Sequence, residues 1–152
     1  MSVFVCVECG DPLTENVIAL PAVPTRPGHV EGARYAEPTV PLGHYAIEPE
    51  PFGAPFVPTD EVVPAYPGGP YLADSGPGFR VSAGPRGTIV LNPADTHLKG
   101  HPDRGGGCCG TSSDPEGWNS LCACGAEVGD RLSECYTAWE VHLDPAKVRR
   151  VD

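Results

Sequence analysis

Ser2-Val3-Phe4-Val5-Cys6-Val7-Glu8-Cys9-Gly10 is a β-prone run that ends in two cysteines two residues apart, followed by a glycine. Two intervening residues let both sulfurs reach one tetrahedral ion at ~2.3 Å. The glycine permits the tight turn that aims backbone N–H groups at sulfur. Asp11-Pro12-Leu13 then leads away as a turn into a strand. Near the other end, Cys122-Ala123-Cys124-Gly125-Ala126-Glu127-Val128 repeats the logic of cysteines, glycine, two residues and an aliphatic side chain. It departs in having one residue between the thiols, a less usual spacing for two ligands on one zinc. Two such knuckles closing on one ion make a zinc-ribbon-like fold, with Cys6, Cys9, Cys122 and Cys124 as the ligands of one Zn²⁺. Four thiolates leave no open position, so this is a structural site and not a catalytic one.

The chain has 152 residues and seven cysteines. An odd number does not close a disulfide scaffold, and with no export signal metal ligation is the remaining common explanation. The distribution agrees, with Cys6 and Cys9 at one end, Cys108, Cys109, Cys122, Cys124 and Cys135 together, and none between positions 10 and 107. Disulfides spread along the loops they staple, whereas ligands converge. Cys108, Cys109 and Cys135 call for a second site completed by a histidine, with His101 or His97 nearest in sequence. A different division is equally open: Cys109, Cys122, Cys124 and Cys135 on one ion, with Cys6 and Cys9 joined by Cys108 or a histidine. The plain alternative for the trio is ordinary buried thiols. The count is therefore one or two Zn²⁺ per chain.

Gly and Pro number 19 each, and prolines recur every few residues from Pro21 to Pro77. Proline lacks the N–H donor and fixes φ, so neither a long helix nor a central strand can run through 21–77. Short extended pieces remain possible at Tyr45-Ala46-Ile47 and Glu61-Val62-Val63, in an irregular segment draped over the rest. Val17 to Leu20 reads as a returning strand. Phe79 to Ala83 and Thr88 to Leu91, joined by Gly84-Pro85-Arg86-Gly87, read as a hairpin. Thr88-Ile89-Val90-Leu91 is the best buried-strand candidate, and Asn92-Pro93-Ala94-Asp95 ends it in a turn. Leu121 to Val128 and Tyr136 to Leu143 have strand character. Asp144-Pro145 predicts a capped helical turn over Pro145 to Val151. The expected architecture is mainly β with little helix, a single domain over 1–152, in which 1–20 and 100–143 converge as knuckle elements around the irregular 21–77. Such a chain has few long elements to bury against one another. A structural zinc supplies ~10–16 kcal/mol of apparent binding free energy, against ~5–15 kcal/mol for the stability of whole domains.

Lys+Arg number 10 against Asp+Glu 20, a formal net charge of −10. The one basic cluster is Lys147, Arg149 and Arg150. Nucleic-acid binding needs a basic stripe to neutralise phosphates, so a nucleic-acid partner is not expected. Anionic membrane surfaces are disfavoured likewise, and no apolar run is long enough to span a bilayer. Without a basic flank and apolar run at the start, the chain reads as a cytoplasmic protein. Its charge suits another protein with a basic surface.

Gly105-Gly106-Gly107-Cys108-Cys109-Gly110 formally satisfies a dinucleotide-binding pattern, but it follows no clear strand and opens no helix. His29-Val30-Glu31 lacks the second half of a deaminase signature. Glu48 and Glu50 read as solvated surface, and Trp118 and Trp139 as shields for a zinc site. No catalytic residue emerges. Gly107-Cys108-Cys109-Gly110, the 122–128 knuckle, Glu134-Cys135, the opening Val3 to Gly10 and Tyr45 to Pro51 together resemble a family of small uncharacterised actinomycete proteins. That resemblance implies an intracellular metal-binding protein and brings no activity with it. The function expected is a zinc-stabilised, non-enzymatic accessory protein that contacts another protein. The rival expectations are a thiol-based redox or metal sensor and a zinc enzyme with an open site.

Overall fold

The computed structural model describes residues 1–152. The regular elements are β1 (Val3–Cys6), β2 (Ile18–Ala19), β3 (His44–Glu48), β4 (Phe56–Thr59), β5 (Leu72–Ala73), β6 (Phe79–Ser82), β7 (Thr88–Leu91), β8 (Lys99–Gly100), β9 (Ser120–Leu121), β10 (Glu127–Leu132), β11 (Glu140–Leu143) and β12 (Val148–Val151). A 3₁₀ turn over Pro93–Asp95 follows β7, capped by the Asn92 side chain accepting from the Ala94 N–H at 3.0 Å. The protein is mainly β, and no helix is long and apolar enough to cross a membrane.

The strands form three sheets: a seven-stranded sheet ordered β2-β3-β7-β11-β10-β9-β8, a three-stranded sheet β4-β6-β5, and the two-stranded ribbon β1-β12. Thr88 to Leu91 are all buried, as a central strand flanked by β3 and β11 should be. Alternation along the strands sorts their side chains between two faces. One face contributes Tyr45, Ile89, Leu91, Val141 and Leu143 to a core that Phe4, Cys6 and Val148 of the ribbon complete, and Val128 joins it where the register of β10 shifts between Glu127 and Gly129. Phe4 meets Tyr45 edge-on at 5.0 Å between ring centroids. Leu132, on the other face, joins Phe52, Phe56, Ala65 and Tyr66 in a second core. The segment 21–77 thus supplies β3, β4 and β5 and most of that second core, whereas Glu61-Val62-Val63 forms no strand.

Two expected local structures give way to long-range pairing. β6 and β7 do not form a hairpin: β6 lies between β4 and β5, and β7 between β3 and β11. The link between them crosses beneath the chain at Phe52, where a Cβ on Gly84 would stand 2.1 Å from the Phe52 carbonyl oxygen. Only glycine fits that crossing. At the C-terminus, Asp144 does accept from the Ala146 N–H at 2.9 Å, as a cap should. A single turn follows, and Val148–Val151 then pairs antiparallel with Val3–Cys6 because Val148 is buried in the first core. The ribbon holds the two chain ends side by side and sets the position of Cys6.

Candidate metal centre

Cys6 ends β1, and the chain reverses at once: the Gly10 N–H donates to the Cys6 carbonyl at 2.8 Å and the Cys6 N–H to the Asp11 carbonyl at 2.9 Å. Gly10 has φ +82°, a conformation that glycine adopts without strain. Cys122 and Cys124 occupy the connection from β9 to β10. There the Cys122 N–H donates to the Ala126 carbonyl and the Gly125 N–H to the Cys122 carbonyl, both at 2.9 Å, with Gly125 at φ +92°. The hairpin geometry explains why one intervening residue suffices, since the turn itself brings the second thiol round. β1 and the β9–β10 hairpin both line the first core, in which Cys6 and Cys122 are buried.

The Sγ atoms of Cys6, Cys9, Cys122 and Cys124 all lie within 4.8 Å of one another. Cys6 and Cys124 are 3.8 Å apart and Cys9 and Cys122 are 3.6 Å apart. Sulfurs placed ~2.3 Å from a tetrahedral zinc stand about 3.8 Å from each other. All four are free thiols. Their crowding sets them against ionising together. At Cys9 a hydrogen bond from the Asp11 N–H favours the thiolate, yet burial and the neighbouring thiols push it up to about 12. Burial raises Cys122, while the Ala126 N–H pulls Cys124 down. A cation among the sulfurs removes the conflict.

A second group joins Cys108, Cys109 and Cys135 with Glu134, again with ligand atoms within 4.8 Å of one another. Cys108 Sγ is 3.6 Å from Cys109 Sγ, 3.7 Å from Cys135 Sγ and 3.4 Å from Glu134 Oε1. Glu134 is fully buried. Its carboxylate accepts from the backbone N–H groups of Cys135 (2.8 Å), Cys109 (3.0 Å) and Gly110 (3.1 Å). The Cys135 N–H is the strongest of these influences, and with the Cys109 N–H it outweighs burial to hold the carboxyl at about 2. The Glu134 carboxylate and then Cys108 push Cys135 up to about 12, and Cys109 leads the rise at Cys108. Tyr35, at 5.1 Å from Trp139 between ring centroids, donates its hydroxyl to the Cys109 carbonyl at 2.8 Å.

The sulfurs thus divide four and three. Cys109 and Cys135 stand apart from Cys122 and Cys124, which removes the alternative division. His101 does not complete the second group: its Nε2 is 3.5 Å from Glu127 Oε1, and its Nδ1 accepts from the Asp103 N–H at 3.0 Å. His97 faces Glu15 at 3.2 Å. Glu134, adjacent to a cysteine in sequence, is the side chain that stands beside the three sulfurs where a histidine was expected. The signal for it was the pair of glycines around Cys108-Cys109, which mark a loop pressed against something, although they do not say what.

Glu48 is a correction. It is buried, and its carboxylate pairs at 3.0 Å with Arg26, which also contacts buried Glu140 at 3.1 Å. His142, fully buried, bonds Glu140 at 2.8 Å and Thr88 at 2.8 Å and stacks on Phe52 at 3.5 Å. Glu50 is exposed, beside Arg86. Trp118 covers Gly53 and donates to Asp144 at 2.9 Å, so it braces the second core and not a metal group. No protein-family model, curated protein or solved structure matches the chain, so its chemistry rests on these side chains alone.

Proposed function

We propose that this is a zinc-stabilised, non-enzymatic accessory protein in which one Zn²⁺ on Cys6, Cys9, Cys122 and Cys124 closes a zinc-ribbon-like fold. The observation that carries the reading is the convergence of four free thiols, from turns more than 100 residues apart in sequence, within 4.8 Å of one another, with two of the separations at the edge length of a sulfur tetrahedron. Zinc suits the site because four tetrahedral cysteine sulfurs are a usual coordination of structural zinc. The ion joins the β1-β12 ribbon to the β9–β10 hairpin. Its ~10–16 kcal/mol of apparent binding free energy is comparable to the stability of a whole domain. The formal charge of −10 supports a basic protein surface as the partner, in a cytoplasmic setting, and disfavours nucleic acid and anionic membranes.

Elemental analysis of protein purified without chelators should find at least one zinc per chain, and chelation should abolish the far-UV signature of the sheets. A metal-free folded protein would overturn the reading. Native mass spectrometry of material from its own host adds the partner, as a chain that co-purifies in a fixed ratio. A second reading, thiol-based redox sensing, draws on the exposed pair Cys108 and Cys109 at 3.6 Å. Under mild peroxide it requires those thiols to be lost and zinc to be released well before unfolding.

A further inference from the structure

Cys108, Cys109 and Cys135 have no part in the closed four-sulfur site, and their surroundings differ from it in three respects. The first site combines two buried thiols, Cys6 and Cys122, with two exposed ones, whereas none of Cys108, Cys109 and Cys135 is buried. The fourth neighbour is a carboxylate, and it is already occupied. Glu134 Oε1 accepts from the N–H groups of Cys135 and Cys109, and Oε2 from Gly110 at 3.1 Å and, more weakly, from Cys109 at 3.2 Å. These contacts commit the carboxylate to the loop backbone, and it approaches the thiols at Cys108 Sγ, 3.4 Å from Oε1. Finally, the loop packs tightly against the carboxylate. A Cβ on Gly107 would stand 1.8 Å from Oε2, and one on Gly110 would stand 1.9 Å from the Ser133 carbonyl oxygen. Both glycines are therefore required for the loop to close over Glu134.

We propose that Cys108, Cys109 and Cys135 form a second metal site of three thiolates with one position open to solvent, which loads and releases a thiophilic divalent cation, Zn²⁺ or Cd²⁺, while the first site retains its ion. The proposal rests on the reading of the first site as closed. Glu134 is a positioning residue that fixes the loop through its backbone N–H groups. The sulfur separations of 3.6 and 3.7 Å fit one ion. Three thiolates on one ion carry a formal charge that a divalent ion relieves better than a monovalent one, and sulfur selects soft metals. Exchange follows from the open position. An incoming ligand binds there before any thiolate leaves, a route that a four-sulfur site does not offer.

The test uses the full zinc-loaded chain and a chromogenic chelator, 4-(2-pyridylazo)resorcinol. One zinc per chain should leave in a fast phase and one in a slow phase. Cys108→Ser, at an exposed position, should lose the fast phase and keep one zinc. In the Co²⁺-loaded chain, cyanide should shift the visible bands of one of the two cobalt ions, and Cys108→Ser should abolish that shift. Two zinc ions leaving together, with no response to cyanide, would overturn the proposal by showing the second site closed. A wild-type chain with one zinc that Cys108→Ser keeps would overturn it too, leaving the first site standing. A single zinc that Cys108→Ser loses would instead overturn the closed-site reading and leave the three-thiolate site in place.

Discussion

Replacing Asp130 with asparagine should stabilise the protein, and increasingly so as pH rises. Asp130 lies in β10, fully buried, with Oδ2 accepting from the Ser113 hydroxyl at 2.7 Å and Oδ1 from the Asn119 N–H at 2.9 Å. Burial dominates these two bonds and pushes its carboxyl from 3.8 to about 7. The folded protein therefore holds a proton that the unfolded chain has released, and stability falls as pH rises from the lower value through the higher. At ~1.36 kcal/mol per pH unit, the interval amounts to about 4 kcal/mol, of which about 2 kcal/mol is lost above pH 5.5. Asparagine keeps the shape and the acceptor for Asn119, and the Ser113 hydroxyl can turn to accept from the new amide. Urea unfolding of zinc-saturated wild type and Asp130→Asn between pH 5.5 and 8.5 gives the difference, in which the pH dependence of zinc binding cancels. The variant should gain about 2 kcal/mol over the wild type across that range. A constant destabilisation at every pH would refute the reasoning, because it would mean that Asp130 is ionised in both states across that range.

Other perturbations act on the groups around the two thiol clusters and beneath the proline-rich segment. At Glu140 burial works to raise the carboxyl, but the hydrogen bond from His142 and the Arg26 charge hold it at about 2. Glu140's share of the stability, read as wild type minus Glu140→Gln in urea unfolding, should therefore be about 3 kcal/mol at neutral pH and vanish as pH drops from 4.5 toward 2. Arg26→Met should leave Glu48 and Glu140 uncompensated, and limited proteolysis should then cut near residue 26 at rates the wild type resists. Gly107→Ala should dislodge Glu134 and weaken the second site by about 10–100-fold in competitive zinc titrations, with the first site unchanged. Cys122→Ser should abolish cooperative thermal unfolding, whereas Cys108→Ser should leave the melting curve close to that of the wild type.

Local chemistry made much of this legible. Thr88-Ile89-Val90-Leu91 is too apolar for anything but a central strand, and each knuckle declares itself by spacing and a glycine that its turn requires. The convergence of the chain ends on one site was readable because four thiols have few other uses. What could not be read depends on partners far away in sequence. Glu48 looks solvated until Arg26, 22 positions earlier, is placed beside it, and Arg26 reaches Glu140 across 114 positions. β6 and β7 carry hairpin chemistry between them, yet each finds its neighbours elsewhere. The cap at Asp144 was legible, but the length of what followed was decided by β1. Glu134 is the most instructive miss. Nothing about an acidic residue next to a cysteine says that three backbone N–H groups will close on it.

The central claim is that four sulfurs from opposite ends of the chain hold one zinc. X-ray absorption at the zinc edge, on Cys108→Ser loaded with a single equivalent, tests it without interference from the second cluster. The account predicts four sulfur neighbours at ~2.3 Å and no light-atom ligand. A shell containing nitrogen or oxygen, or one that survives replacement of Cys6 and Cys9 by serine, would contradict it.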